Sequence, residues 1–246
     1  MTHSADLTAT EVSNLWSAYM KSSMEQRLFE YFHSSSDDED IKRIAGEIVS
    51  HAKHALNDLH TLFNQEKLTI PHAFTDQDVT PDAHKIFSDT FILFACHDIT
   101  MLSMSTYPSA FSDCSRQDIT QFFQERIETM TKVQNEITQL MVEKGVYLKP
   151  AQLNMESEID YVSSKKYLLG ITDQSRPLNA PEIANLSRIL HRAQFSKMVF
   201  VTFYKMASTK ELKDFFVRGR NELEKVLDSL SEVLEKENIP LAASIL

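Results

Sequence analysis

Apolar residues recur along this chain at alternating spacings of three and four, the period of an amphipathic helix, in six long stretches. From about Ala9 to His33, Leu15, Ala18, Ser22, Glu25, Phe29 and Phe32 share one seam, and Glu25 is its single charge. A second helix, antiparallel to the first and running to about Glu66, follows on Ile41, Ile44, Ile48, Ala52, Ala55, Leu59 and Leu62. The third, about Ala83 to Tyr107, is the most apolar, with Phe87, Phe91, Phe94, Met101 and Leu102 on one arc. In the fourth, Ser115-x-x-Asp118 is the expected cap, Ile119, Phe123, Ile127, Met130, Val133, Ile137 and Leu140 carry the pattern, and Gly145 stops it. Between the second and third helices the pattern lapses and Pro71 and Pro81 appear, a linker long enough to travel the length of a bundle. Such a crossover distinguishes ferritin-like four-helix bundles from simple up-down ones.

The pattern then starts again. Leu7-Thr-Ala9-Thr-Glu11-Val12-Ser-Asn14-Leu15 returns as Leu178-Asn-Ala180-Pro-Glu182-Ile183-Ala-Asn185-Leu186, a displacement of 171 positions. Each phrase reads as a helix start, because Thr8 and Asn179 place a capping oxygen three residues before a glutamate. The expected organisation is a complete bundle over 1–145, an irregular connector over 146–178 with an ordered piece near Ile159 to Leu169, and a two-helix half-repeat over 179–246. The first helix of that hairpin is apolar on more than one face. It is expected to dock through Leu190, Phe195, Met198 and Val201, with a homodimer as the leading arrangement and packing on the chain's own first bundle as the rival.

Composition narrows the function classes. Four glycines and the absence of a phosphate loop, a Cys-x-x-Cys pair or a nucleophile elbow argue against nucleotide and hydrolase chemistry. A formal charge of −10 argues against nucleic acid as a partner. Two cysteines, no basic-apolar leader and no long apolar run imply a soluble, cytoplasmic chain without a membrane span.

The stretches Phe74-Thr-x-x-Asp78-Val79, Phe87-Ser-Asp89-Thr-Phe91, Gly145-x-Tyr147-x-Lys149-Pro150 and Arg176-Pro177-Leu178-Asn179-Ala180-x-Glu182-Ile183 resemble the domain-of-unknown-function 3231 family. That resemblance implies tandem ferritin-like four-helix units from endospore-forming bacteria, a link to the spore or its coat, and no established activity. Such proteins ordinarily continue through a complete second unit, whereas this sequence stops after two helices of it.

Ferritin-like di-metal centres use Glu-x-x-His pairs on two helices, and the chain shows no such set. Glu47, His51, His54 and Asp58 form a stripe on the second helix, better read as a hydrated boundary than as ligands. More informative are charges inside apolar arcs. Asp98 and Arg126 fall at matching levels of the third and fourth helices and are expected to pair, with Glu25, His51 and His97 completing a buried polar layer. The competing reading makes Glu25, His51, His97 and Asp98 ligands for iron or manganese, against which Arg126 argues by repelling a cation. The leading expectation is a helical-bundle protein without cofactor or catalysis that works by association; a small apolar-ligand binder is the weakest alternative.

Overall fold

A computed structural model describes residues 6–80, 83–149 and 177–239. Its regular elements are helical: α1 (Ala9–Ser35), α2 (Glu39–Gln65), a 3₁₀ turn (Asp76–Asp78), α3 (Asp89–Asp113), α4 (Gln117–Glu143), α5 (Ala180–Met206) and α6 (Lys210–Lys236). The chain divides into two compact units, Met1–Tyr147 and Leu148–Leu246. Most of the connector, including the piece expected near Ile159 to Leu169, lies outside the described residues.

In the first unit the expected seams of α1 and α2 are buried along their whole length. Contacts at the helix ends fix the directions. The end of α1 meets the start of α3 where Ser36 Oγ donates to Asp89 at 2.8 Å. The end of α2 meets the start of α4 through Glu66 and Arg116 at 2.8 Å, and the end of α4 returns to the start of α2 through Lys144 and Asp38 at 2.6 Å. Hence α2 and α3 run in the same direction, and the connection between them crosses the full height of the bundle. Each helix of the α3–α4 hairpin runs opposite to the one it flanks, α3 against α1 and α4 against α2.

Helix α3 is displaced from its expected span. Ser88 caps it by accepting the Phe91 N–H at 3.2 Å, and it continues through Pro108 to Asp113 because Tyr107 and Ala110 on either side of the proline are buried. Its inward stripe is Cys96, Thr100, Ser103, Tyr107 and Ala110, whereas Met101, assigned to the core by pattern, is 36% exposed. At the end of α4, Gly145 adopts φ +70°, the left-handed conformation that lets the helix stop there.

The second unit reproduces the first hairpin residue by residue. The spans of α5 and α6 are those of α1 and α2 displaced by 171 positions. Both capping boxes are present, on Thr8 with Glu11 and on Asn179 with Glu182. The closing turns match as well, with left-handed Lys67 and Asn238 and the bonds Leu68 N–H to Phe63 and Ile239 N–H to Leu234 at 2.9 and 3.0 Å. Close approach of α5 and α6 requires Gly219, where a Cβ would lie 2.4 Å from the Phe200 ring.

Candidate functional site

The polar residues nominated in the core do not all converge. Glu25, 6% exposed, accepts from Lys21 one turn earlier on α1, and Lys21 also donates to the Tyr107 hydroxyl of α3 at 3.2 Å. The Lys21 ammonium lies 4.7 Å from the centre of the Tyr107 ring, a cation–π contact that adds to the ion pair. Beside this group, Ser22 and Glu25 of α1, His51 of α2, Thr100 and Tyr107 of α3 and Arg126 of α4 border a cavity of about 10 Å³, room for one water molecule. Thr100 is fully buried and donates to Gln134 of α4, which ties the two helices at this level. Burial pushes the Glu25 carboxyl up from its ordinary value, with Lys21 opposing. Burial likewise pushes the His51 imidazole down, which leaves it neutral at pH 7.

The ion pair expected between Asp98 and Arg126 is replaced by another. Arg126 Nη2 bonds Asp58 of α2 at 2.6 Å and approaches Glu125 at 3.5 Å, while its guanidinium lies 5.0 Å from the Phe122 ring centre. Helix rotation is the reason. With Cys96, Thr100 and Ser103 facing inward, Asp98 falls beside the inward stripe and is only half-buried. His97 is buried, yet its ring meets Tyr147 at 6.3 Å edge-to-face and does not line the cavity. Asp58, read from the sequence as a hydrated boundary residue, is the carboxylate that matters to Arg126. It belongs to a ladder between α2 and α4 made by Asp38 with Lys144, Arg43 with Glu136, Asp58 with Arg126 and Glu66 with Arg116. Because Asp58 is 49% exposed and stays hydrated without its partner, Arg126→Met is expected to change stability by less than about 1 kcal/mol. Urea unfolding checks this, and a loss of several kcal/mol would restore a buried pair at Arg126.

The residues present do not fit the iron or manganese alternative. Glu25 is held by an ammonium, Arg126 brings a second cation to the same cavity, and His97 and Asp98 are not among the residues that border it. Among the described residues no group of three or more His, Cys, Asp or Glu is placed to hold a metal ion. One Glu-x-x-His spacing does occur, at Glu30 and His33 of α1. Glu30 is taken by Arg27 and Lys53, however, and His33 bonds the Lys42 carbonyl at 2.9 Å. The cavity is also far below the ~300 Å³ that an apolar ligand pocket occupies.

Sequence reasoning also missed a junction at the bundle end. Glu11, 1% exposed, completes its own capping box and reaches across to accept the Ser115 and Arg116 N–H groups at 2.9 and 3.0 Å. Helix α4 therefore starts on a carboxylate from α1, in place of the expected Ser115 cap; its N-cap residue Arg116 makes no side-chain cap bond, and Asp118 accepts the Ile119 N–H at 3.0 Å. These N–H groups, that of Thr8 foremost, pull the Glu11 carboxyl down to about 2.

The second unit distributes its apolar residues differently. Leu190, nominated for an interface, is 7% exposed and belongs to the interior. Phe195, Met198 and Val201 are half-buried. The exposed large apolar residues are Ile189 in the first half of α5, Phe203, Tyr204 and Met206 in its last turn, and Leu212, Phe215, Val226 and Val233 on α6. None of the described helices is long and apolar enough to cross a membrane.

A crystal structure of a candidate spore coat protein from Bacillus halodurans C-125 superposes with a TM-score of 0.55, covering 62% of this chain and 98% of that one at 18% identity. At that identity the likeness establishes a helical-bundle fold. No curated protein matches the chain. The family model described as "Protein of unknown function (DUF3231)" matches residues 1–159 and 166–245. With its helical repeat and nearly its whole length accounted for by that match, the chain belongs to the DUF3231 family.

Proposed function

We propose that this protein has a structural, non-catalytic role exercised by association through the α5–α6 face, as a cytoplasmically made component of the spore or its coat. One comparison carries the reading. Phe32, Ile41, Ile44, Ala55 and Leu62 of the first hairpin are 1%, 2%, 1%, 2% and 9% exposed in a core completed by α3 and α4. Their equivalents 171 positions on, Phe203, Leu212, Phe215, Val226 and Val233, are 39%, 46%, 51%, 42% and 38% exposed. The second hairpin thus presents the face that the first one covers with another hairpin, and a contiguous apolar face of this kind marks an interaction surface. A second copy of the chain is the partner that this reading favours. The spore setting is supported by the name of the Bacillus halodurans protein.

Light scattering on the full chain at micromolar concentration tests the association. A dimer or larger species is expected, converted to monomer by Leu212→Glu with Val226→Glu while helical circular dichroism is retained. A monomeric wild type overturns the reading. Antibody detection in spore-coat extracts of the source organism tests the setting, and recovery only from the mother-cell fraction would remove it.

A further inference from the structure

Resting on the association just proposed, we infer that the occupant of the α5–α6 face is the same hairpin of a second chain, placed across a two-fold axis with α6 antiparallel to its own copy. The first unit supplies the template. There the hairpin that covers α1–α2 runs opposite to it helix by helix, as the Glu66–Arg116 and Asp38–Lys144 contacts at the two ends of α2 and α4 establish. A two-fold axis perpendicular to the helices generates those same directions from a single hairpin, since it reverses each helix and returns one surface to itself. Because α5 and α6 repeat α1 and α2 in span, caps and closing turns, a second α5–α6 hairpin can approach in the orientation that α3–α4 takes in the first unit.

Charge on α6 favours the antiparallel choice. Residues 210–220 hold four Lys or Arg against two acidic residues, while residues 221–236 hold two against five. Antiparallel helices set the basic half of each against the acidic half of the other, whereas a parallel pair would set like against like. The exposed apolar positions run from Leu212 to Val233, so the axis passes near Glu222, the middle of that stretch.

Cysteine cross-linking of the full chain tests this, with the wild type, whose Cys96 is buried and Cys114 half-buried, as background. On mild oxidation Glu222→Cys is expected to give a covalent dimer, because a residue at the axis meets its own copy within disulfide reach. Leu212→Cys lies roughly 15 Å along the helix from the axis and should not link to itself. The double variant Leu212→Cys with Val233→Cys should link. A dimer by light scattering in which Glu222→Cys fails to link, or Leu212→Cys links to itself, overturns the antiparallel arrangement and leaves the association surface standing. A monomer, or a dimer that survives Leu212→Glu with Val226→Glu, overturns both.

Discussion

Replacing Lys21 by methionine lowers the stability of the first bundle by about 3 kcal/mol at neutral pH, because it strands the buried Glu25 carboxylate without its cation. Among the described residues Lys21 is the basic group that bonds Glu25, and the Tyr107 hydroxyl that shares Lys21 loses a donor in the same step. Lys21→Met with Glu25→Leu should recover most of the loss, since removing both charges leaves nothing uncompensated. The cost depends on pH in a defined direction. Burial raises the folded-state value of Glu25, so the folded state holds this proton more tightly than the unfolded one. The resulting favourable contribution is present at low pH and lost as pH rises through the folded value. Without Lys21 that value rises further, and the penalty should shrink as the solution is acidified toward pH 5. Urea titrations followed by the fluorescence of Trp16, the single tryptophan, read the first unit directly. A double variant as unstable as the single, or a penalty independent of pH, would show that Lys21 does not neutralise Glu25.

Glu11→Ala is expected to cost about 2 kcal/mol, through three backbone N–H groups, on Thr8, Ser115 and Arg116, that lose their acceptor. Two helix starts fail together, since the carboxylate caps α1 and holds the turn into α4. The pH dependence here has the opposite sign to that of Glu25. With its carboxyl held at about 2, against an ordinary 4.5, Glu11 contributes fully above pH 4.5 and loses that contribution as pH falls toward 2. A displacement of this size is worth at most about 3 kcal/mol. Glu11→Gln keeps the shape without the charge and should flatten the acid limb of the stability curve. An acid limb unchanged by Glu11→Gln would remove this role.

The seams of α1 and α2 were readable because each helix buries one narrow stripe, so period alone gives its phase. Helix α3 gave a misleading phase for the opposite reason. Phe91, Ile92, Leu93, Phe94, Ala95, Cys96 and His97 are all buried, so no polar side marks which residues face the bundle axis. The arc with the bulkiest side chains suggested an inward Asp98, whereas the inward stripe is made of small and hydroxylic residues. Arg126 was placed in an apolar arc of α4 by the same periodic reasoning, which named Asp98 as its partner where the structure gives Asp58. Asp58 lies 68 positions away on α2, among exposed charges that resemble any hydrated face.

The sequence by itself determined that there are six long helices, the Thr8 and Asn179 caps, the crossover and the repeat, since these depend on residues within a turn or two of one another. The shared displacement of 171 positions carries the cap glutamates and the left-handed closing residues alike. Only the tertiary structure decided which charges meet. Glu11 reaches Ser115 across 104 positions, and Lys21 finds Tyr107 across 86, because helix rotation and level are set by packing among four helices at once. It also decided that two nearly identical hairpins differ in one respect. Phe32 is covered and Phe203 is not, because burial depends on what lies opposite a helix as well as on its own pattern.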